Sequence, residues 1–240
     1  MNKNDTTKLE KAQQNLKLEF NNLELLKKAF IHRSYLNETK EENLSHNERL
    51  EFLGDAVLEL LVTEHLFHKY PQRPEGDLTS FRSATVKTES LAETAMQIGL
   101  GEYIYMSKGE EATGGRTRPY ILANTFEALL GAIYLDKGYE SAQKFLEEFL
   151  FPKIQVIVEK RLDIDGKSKL QELSQEITSF TPIYELIDES GPDHDKTFTM
   201  SVQIGNNSFG QGTGKSKQEA EQNAAANALN EWDNLIKKYF

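Results

Sequence analysis

Two segments place acidic side chains among apolar residues at helical spacing. Between residues 48 and 58, Glu48, Glu51 and Asp55 recur three and four positions apart among Leu50, Leu53, Val57 and Leu58. At ~100° per residue, the three carboxylates share an arc of about 60° on one helix face. There they repel one another unless a cation lies between them. For that segment alone a solvated acidic stripe is the plain alternative. The second segment, residues 121–135, is apolar nearly all round, yet it carries Asn124 and Glu127 three positions apart. A helix of that composition is buried, and a buried ionised Glu costs several kcal/mol unless it is ion-paired or metal-bound. Arg49 is one candidate partner. A hard divalent cation held by Glu51, Asp55, Glu127 and the Asn124 amide oxygen accounts for both segments at once. An all-oxygen donor set suits Mg2+, with Mn2+ as a substitute. Sites of this kind bind phosphates and activate water for in-line displacement at phosphorus.

The run Asn47-Glu48-Arg49-Leu50-Glu51-Phe52-Leu53-Gly54-Asp55 resembles the signature of ribonuclease III. The likeness extends to His32-Arg33-Ser34-Tyr35, Gly109-Glu110, Gly114-Gly115-Arg116 and Phe126-Glu127-Ala128-Leu129-Leu130-Gly131-Ala132, in the expected order along nearly the whole chain. The resemblance implies a dimeric, all-helical endonuclease domain that cuts double-stranded RNA with Mg2+, leaving 5′-phosphate and 3′-hydroxyl ends. By position, Glu51, Asp55 and Glu127 would be metal ligands and Glu48 a supporting acid near the scissile strand, so that Glu48, Asp55 and Glu127 form the catalytic set. The implied setting is cytoplasmic, acting on ribosomal RNA precursors and other structured transcripts. One position departs from the family pattern: Asn124 stands where Asp is usual. An amide oxygen can coordinate a metal but brings no charge. The alternative it raises is a catalytically weakened duplex-RNA-binding protein with a structural or regulatory role. Activity is expected to survive because Glu51, Asp55 and Glu127 are intact.

These residues must be held by helices. From Leu16 to about Leu162, apolar residues recur at three- and four-residue spacing, and breaks at Gly, Pro and Asn cut the segment into roughly seven helices. The stretch up to Gln14 reads as polar and charged. The expected arrangement is an all-helical domain over residues 1–162, a linker at 163–166 and a small α+β domain at 167–240. In the latter, a helix over Lys169–Thr178 precedes strands at Tyr184–Glu189, Thr197–Ile204 and Ser208–Gly212, and an Ala-rich helix follows from Ser216 to Leu235. That α-β-β-β-α order resembles the double-stranded-RNA-binding domain, which reads duplex shape across two minor grooves and the phosphates between them. The resemblance places RNA contacts at Gln171, Glu172 and Gln175 on the first helix, at His194 and Lys196 in the first hairpin loop, and at Lys215, Ser216 and Lys217, where the last helix begins. Exposed backbone N–H groups and lysines at a helix start favour phosphate. A nucleotide-binding loop is excluded at that point, because Phe209 stands where the first Gly of the pattern would be.

Composition bounds the rest. The 240 residues carry 28 Lys and Arg against 38 Asp and Glu, a net charge of −10, with no Cys. Disulfides and thiolate metal sites are excluded, and a reducing compartment fits. No apolar run approaches the ~20 residues of a membrane span. The acidic balance argues against nucleic acid when taken as a total. Position changes that inference, since five of the seven lysines after residue 166 (Lys167, Lys169, Lys196, Lys215 and Lys217) lie at or beside the expected contacts. Other residues read as structural. His65 and His68 lack a third ligand; His32 and His46 flank helix starts; Phe20, Phe30, Phe126, Tyr134 and Phe145 occupy apolar helix positions; Trp232 is expected to pack on the sheet. Arg116 and Arg118 read equally well as RNA-backbone contacts and as loop charges.

Overall fold

The computed structural model describes residues 3–39, 44–160, 166–192 and 195–240. They form two compact units, residues 1–163 and 164–240. The first contains α1 (Lys3–Asn15), α2 (Leu23–Ala29), α3 (Glu48–Lys69), α4 (Glu75–Val86), α5 (Thr88–Gln97), α6 (Lys108–Ala112), α7 (Pro119–Lys137), α8 (Tyr139–Phe149) and α9 (Phe151–Lys160). Short 3-10 turns lie at Arg33–Asn37, Leu100–Tyr103 and Gly115–Thr117.

The central element is α7. Pro119 opens it, where a missing N–H costs nothing, and Gly138 at φ +82° closes it. Eleven of its residues are buried, from Ile121 through Ile133. Helix α3 crosses it where both backbones lack side chains. A Cβ on Gly54 would sit 1.8 Å from the Glu127 carbonyl oxygen, and one on Gly131 would sit 2.3 Å from the Leu50 carbonyl. Only glycine permits that approach, and it brings the acids of α3 beside those of α7.

Helix α1 is a departure from the expected polar lead-in. Leu9, Ala12 and Leu16 form a fully covered stripe, and Asp5 makes a buried ion pair with Lys27 of α2 at 2.8 Å. Three modest apolar residues among eleven polar neighbours keep the mean hydropathy low, which is why the stripe is hard to see in the sequence. Tyr134 is the other departure: it is exposed on α7, whereas Phe30, Phe126 and Phe145 are buried as expected and Phe20 is half-buried.

The second unit runs α10 (Gly166–Thr178), β1 (Ile183–Ser190), β2 (Thr197–Ile204), β3 (Asn207–Gly214), α11 (Lys217–Asn230) and α12 (Trp232–Tyr239). The three strands form one antiparallel sheet in the order β1-β2-β3. Gly205, at φ +60°, turns the second hairpin. Gly210, Gly212 and Gly214 alternate along β3 under α11; a Cβ on Gly212 would lie 2.1 Å from the Ala224 nitrogen. The Ala-rich face of α11 therefore lies directly on the strand, sealed by Leu170, Val202, Ile204, Phe209 and Trp232. The single last helix expected from Ser216 to Leu235 is divided at Glu231, whose backbone (φ −104°, ψ 10°) ends α11 before α12 begins. Among the described residues no helix is long and apolar enough to cross a membrane.

Candidate active site and nucleic-acid interface

The start of α3 is tied to the end of α2. Asn47 is buried; its backbone N–H donates to the Ile31 carbonyl at 2.9 Å and its amide Nδ2 to the Ala29 carbonyl at 3.1 Å. Ile31 in turn pairs with Tyr105 through an isolated parallel bridge. Glu48 and Glu51 therefore leave the first turn of α3 from a fixed base, where the helix dipole favours negative charge.

A recess of about 230 Å³ opens there, lined by Glu48, Glu51, Asn124, Thr125, Ile121, Tyr120, Asn47, His32 and Arg33. Burial raises the Glu51 pKa first, and Glu48 and Asp55 raise it further, while the Asn124 amide on the facing helix opposes them. Glu127 is pushed up to about 8, by burial first and then by Asp55 and Glu51. Arg49 does not neutralise it: among the described residues no ion pair joins the two, and Arg49 is exposed. Glu48 sits at the rim, 3.9 Å from the Arg33 guanidinium and 3.7 Å from His46 Nδ1.

Of the expected residues, Glu48, Glu51 and Asn124 line the recess; Asp55 and Glu127 are not among its lining residues but lie close enough for the charges of Glu51, Asp55 and Glu127 to act on one another. Their side chains do not close on one point. Among the described residues no three acidic or histidine side chains are placed to hold an ion together. The donor set itself fits a hard divalent cation: it is all oxygen, it is predominantly anionic, and the raised carboxyl pKa values mark charge that the protein leaves uncompensated.

Residue reading alone treated His32 as structural and gave Arg33 and Tyr120 no part, although all three line the recess. His32 is structural as well: its Nδ1 accepts from the Ser34 backbone N–H and shares a 2.8 Å bond with the Ser34 hydroxyl. The His32-Arg33 pair, already in the family-like run, was the available signal. Arg116 and Arg118 are engaged within their loop. Arg116 donates to the Gly101 and Ile104 carbonyls at 2.8 and 3.1 Å and to Glu111, and Arg118 pairs with Glu110 and the Thr113 carbonyl. His65 stacks on Phe151, with centroids 4.0 Å apart.

In the second unit Gln171, Glu172 and Gln175 are exposed together on α10. The expected contact His194 lies outside the described residues. Ser216 caps α11, its hydroxyl accepting from the Glu219 N–H at 3.2 Å, while the Glu219 carboxylate accepts from the Lys215 N–H at 2.6 Å. The Glu219 N–H at the start of α11 and the Lys215 N–H before it thus have acceptors within the protein rather than standing open for phosphate. The lysines are engaged too: Lys167 with Glu221 at 2.6 Å, Lys196 with Glu189 at 2.5 Å and Lys215 with Asp195 at 2.7 Å. Lys217 makes no ion pair among the described residues and lies 6.0 Å from the centre of the Phe198 ring.

A helical unit with an acidic recess, joined to an α-β-β-β-α unit with lysines at its loops, defines a nuclease of hydrolytic type coupled to a nucleic-acid-binding module. Comparison with protein families matches residues 22–154 to the Ribonuclease-III-like family and residues 167–231 to the double-stranded RNA binding motif. A Ribonuclease 3 of Listeria innocua is 45% identical over 222 residues, covering 92% of this chain and 96% of the relative. One from Enterococcus faecalis is 49% identical over 210 residues, covering 88% and 91%. The chain belongs to the ribonuclease III family and is an endoribonuclease of that type. Among solved structures, the nuclease domain of ribonuclease III from Campylobacter jejuni, described as flexible in a region involved in dimer formation, matches with TM-score 0.55 and 43% identity over 60% of this chain and 99% of that one.

Proposed function

We propose that this chain cleaves double-stranded RNA at the recess between α3 and α7, using Mg2+ or, as a substitute, Mn2+. The observation that supports this reading is Glu127: half-buried, beside two further carboxylates, with no cation among the groups that shift it. When bound, the ion would lower the pKa of water and neutralise charge on the leaving 3′-oxygen, giving 5′-phosphate and 3′-hydroxyl ends. Glu51, Asp55 and Glu127 would hold it. Asn124, beside Glu51 on the facing helix, would offer an uncharged oxygen to the same ion. Glu48, flanked by Arg33 and His46, faces the strand at the rim.

The proposal includes a homodimer that presents two recesses to opposite strands. Helix α3 carries Phe52, Leu60 and Phe67 on one side, and they are 81%, 57% and 65% exposed. Large apolar side chains so open to water, beside the acids, suit a surface covered by a second copy. The C. jejuni relative, described with a region involved in dimer formation, supports the same reading. The second unit would hold the duplex through Gln171, Glu172 and Gln175, through His194 and Lys196, and through Lys215, Ser216 and Lys217. A cysteine-free chain agrees with a reducing cytoplasm, where ribosomal RNA precursors and other structured transcripts are the proposed substrates.

The test is Glu127→Gln. Cleavage of long duplex RNA should be abolished at every Mg2+ and Mn2+ concentration, while duplex affinity stays within about twofold of wild type. Equal loss of cleavage and binding would contradict the role given to Glu127. A wild-type protein that binds duplex but never cuts it would assign the chain to the structural or regulatory alternative, with Asn124 as the responsible departure.

A further inference from the structure

Of the lysines expected to meet RNA, Lys196 and Lys215 are engaged with the protein's own acids, as is Lys167 beside them, and the pairs join separate elements. Lys196 and Glu189 bridge the β1–β2 hairpin. Lys215 reaches from the end of β3 to Asp195 beside the hairpin loop, with a second contact to Thr197 Oγ1 at 3.4 Å. Lys167 of α10 pairs with Glu221 of α11. The Lys196 bond and the nearby charge of Lys217 hold Glu189 below the ordinary carboxylate range. A lysine so placed is already neutralised locally, so a phosphate that approaches it must displace a carboxylate.

We propose that Glu189 and Asp195 are specificity-determining residues that compete with phosphate for Lys196 and Lys215. The inference rests on the duplex-binding reading of this unit and deepens it. A single phosphate gains little by replacing one carboxylate, because an exposed pair and its replacement are of similar strength in water. A rigid duplex presents several phosphates at fixed separations and displaces both acids in one docking event. A flexible single strand must be ordered before it can do the same, at a cost in conformational entropy. The two acids therefore lower affinity for every nucleic acid and spare the rigid duplex most. Each acid released beside the RNA also cancels about one favourable charge, so binding releases fewer counterions than the lysine count implies.

The experiment uses the full chain in chelator, so that no RNA is cut, with a short RNA duplex and a single strand of the same length. Affinity is measured across a salt series for wild type, Glu189→Gln, Asp195→Asn and the double variant. The double variant should bind duplex about three- to tenfold more tightly, gain still more on the single strand, and steepen the salt dependence by about one phosphate equivalent per substitution. Asp195→Glu, which keeps the charge, should retain the wild-type slope. Wild-type binding to duplex with no gain in affinity or slope for the variants overturns the proposal and leaves duplex binding standing. A wild-type chain that ignores duplex overturns both.

Discussion

Protonation of Glu127 links the recess to the stability of the helical unit. Its carboxyl is raised from 4.5 to about 8 in the folded protein, chiefly by burial. A raised pKa means that the fold favours the protonated form, so its stabilisation is fully present below about pH 4.5 and is lost as pH climbs through about 8. Glu51, shifted the same way, adds to the effect. In chelator, the melting temperature of wild type should fall between pH 5 and pH 9 by several degrees more than that of Glu127→Gln, and added Mg2+ should restore it. Parallel melting curves would place the pH dependence elsewhere. The acids themselves were readable in the sequence, because helical phase and a buried carboxylate are local properties. The approach of Asn124 to Glu51 was not, because it brings together residues about 70 positions apart whose meeting depends on how two helices cross. The Ser216 cap on the Glu219 N–H was readable in principle, since Ser-x-x-Glu is a local motif.

At the scale of elements, the α3–α7 crossing carries the site. Gly54→Ala would force a methyl group against the Glu127 carbonyl, so the helices must part or tilt. A loss of about 3 kcal/mol in urea unfolding is expected, together with most of the cleavage activity. Gly76→Ala in α4, where the added carbon meets nothing within 4 Å, is the control and should be neutral or stabilising by up to ~1 kcal/mol. Unchanged stability for Gly54→Ala would mean that the crossing is looser than its geometry indicates. Periodicity located α3, α7 and the three strands well, since each has a long patterned face. It failed at α1, where a narrow stripe is completed by an ion pair to a residue on another helix, and at Glu231, where the pattern continues but the backbone does not.

For the whole molecule, total charge was the least informative number. A net charge of −10 is compatible with an RNA partner because position matters more than the total: Lys167, Lys169, Lys196, Lys215 and Lys217 lie at or beside the expected contacts of the second unit. The proposed dimer would use a different surface. Phe67 is 65% exposed on α3 and lies three turns from Asp55, so Phe67→Asp leaves the acidic recess in place. Sedimentation should show the wild type as a dimer and Phe67→Asp shifted toward monomer, with cleavage reduced at least about tenfold. A monomeric wild type would remove the dimer from the reading, and an unaltered variant would move the interface to another face.

The two glycines at the crossing also bear on the order of events in synthesis. Asp5 and Lys27 are about 20 residues apart and can meet as soon as α2 has emerged, whereas Gly54 and Gly131 are roughly 80 apart and cannot meet until α7 is made. A nascent chain that has completed α3 thus carries only part of its acidic constellation. On the proposed reading of the site, it leaves the ribosome, itself a dense array of structured RNA, without the full set of acids, and cleavage would have to wait until α7 has docked.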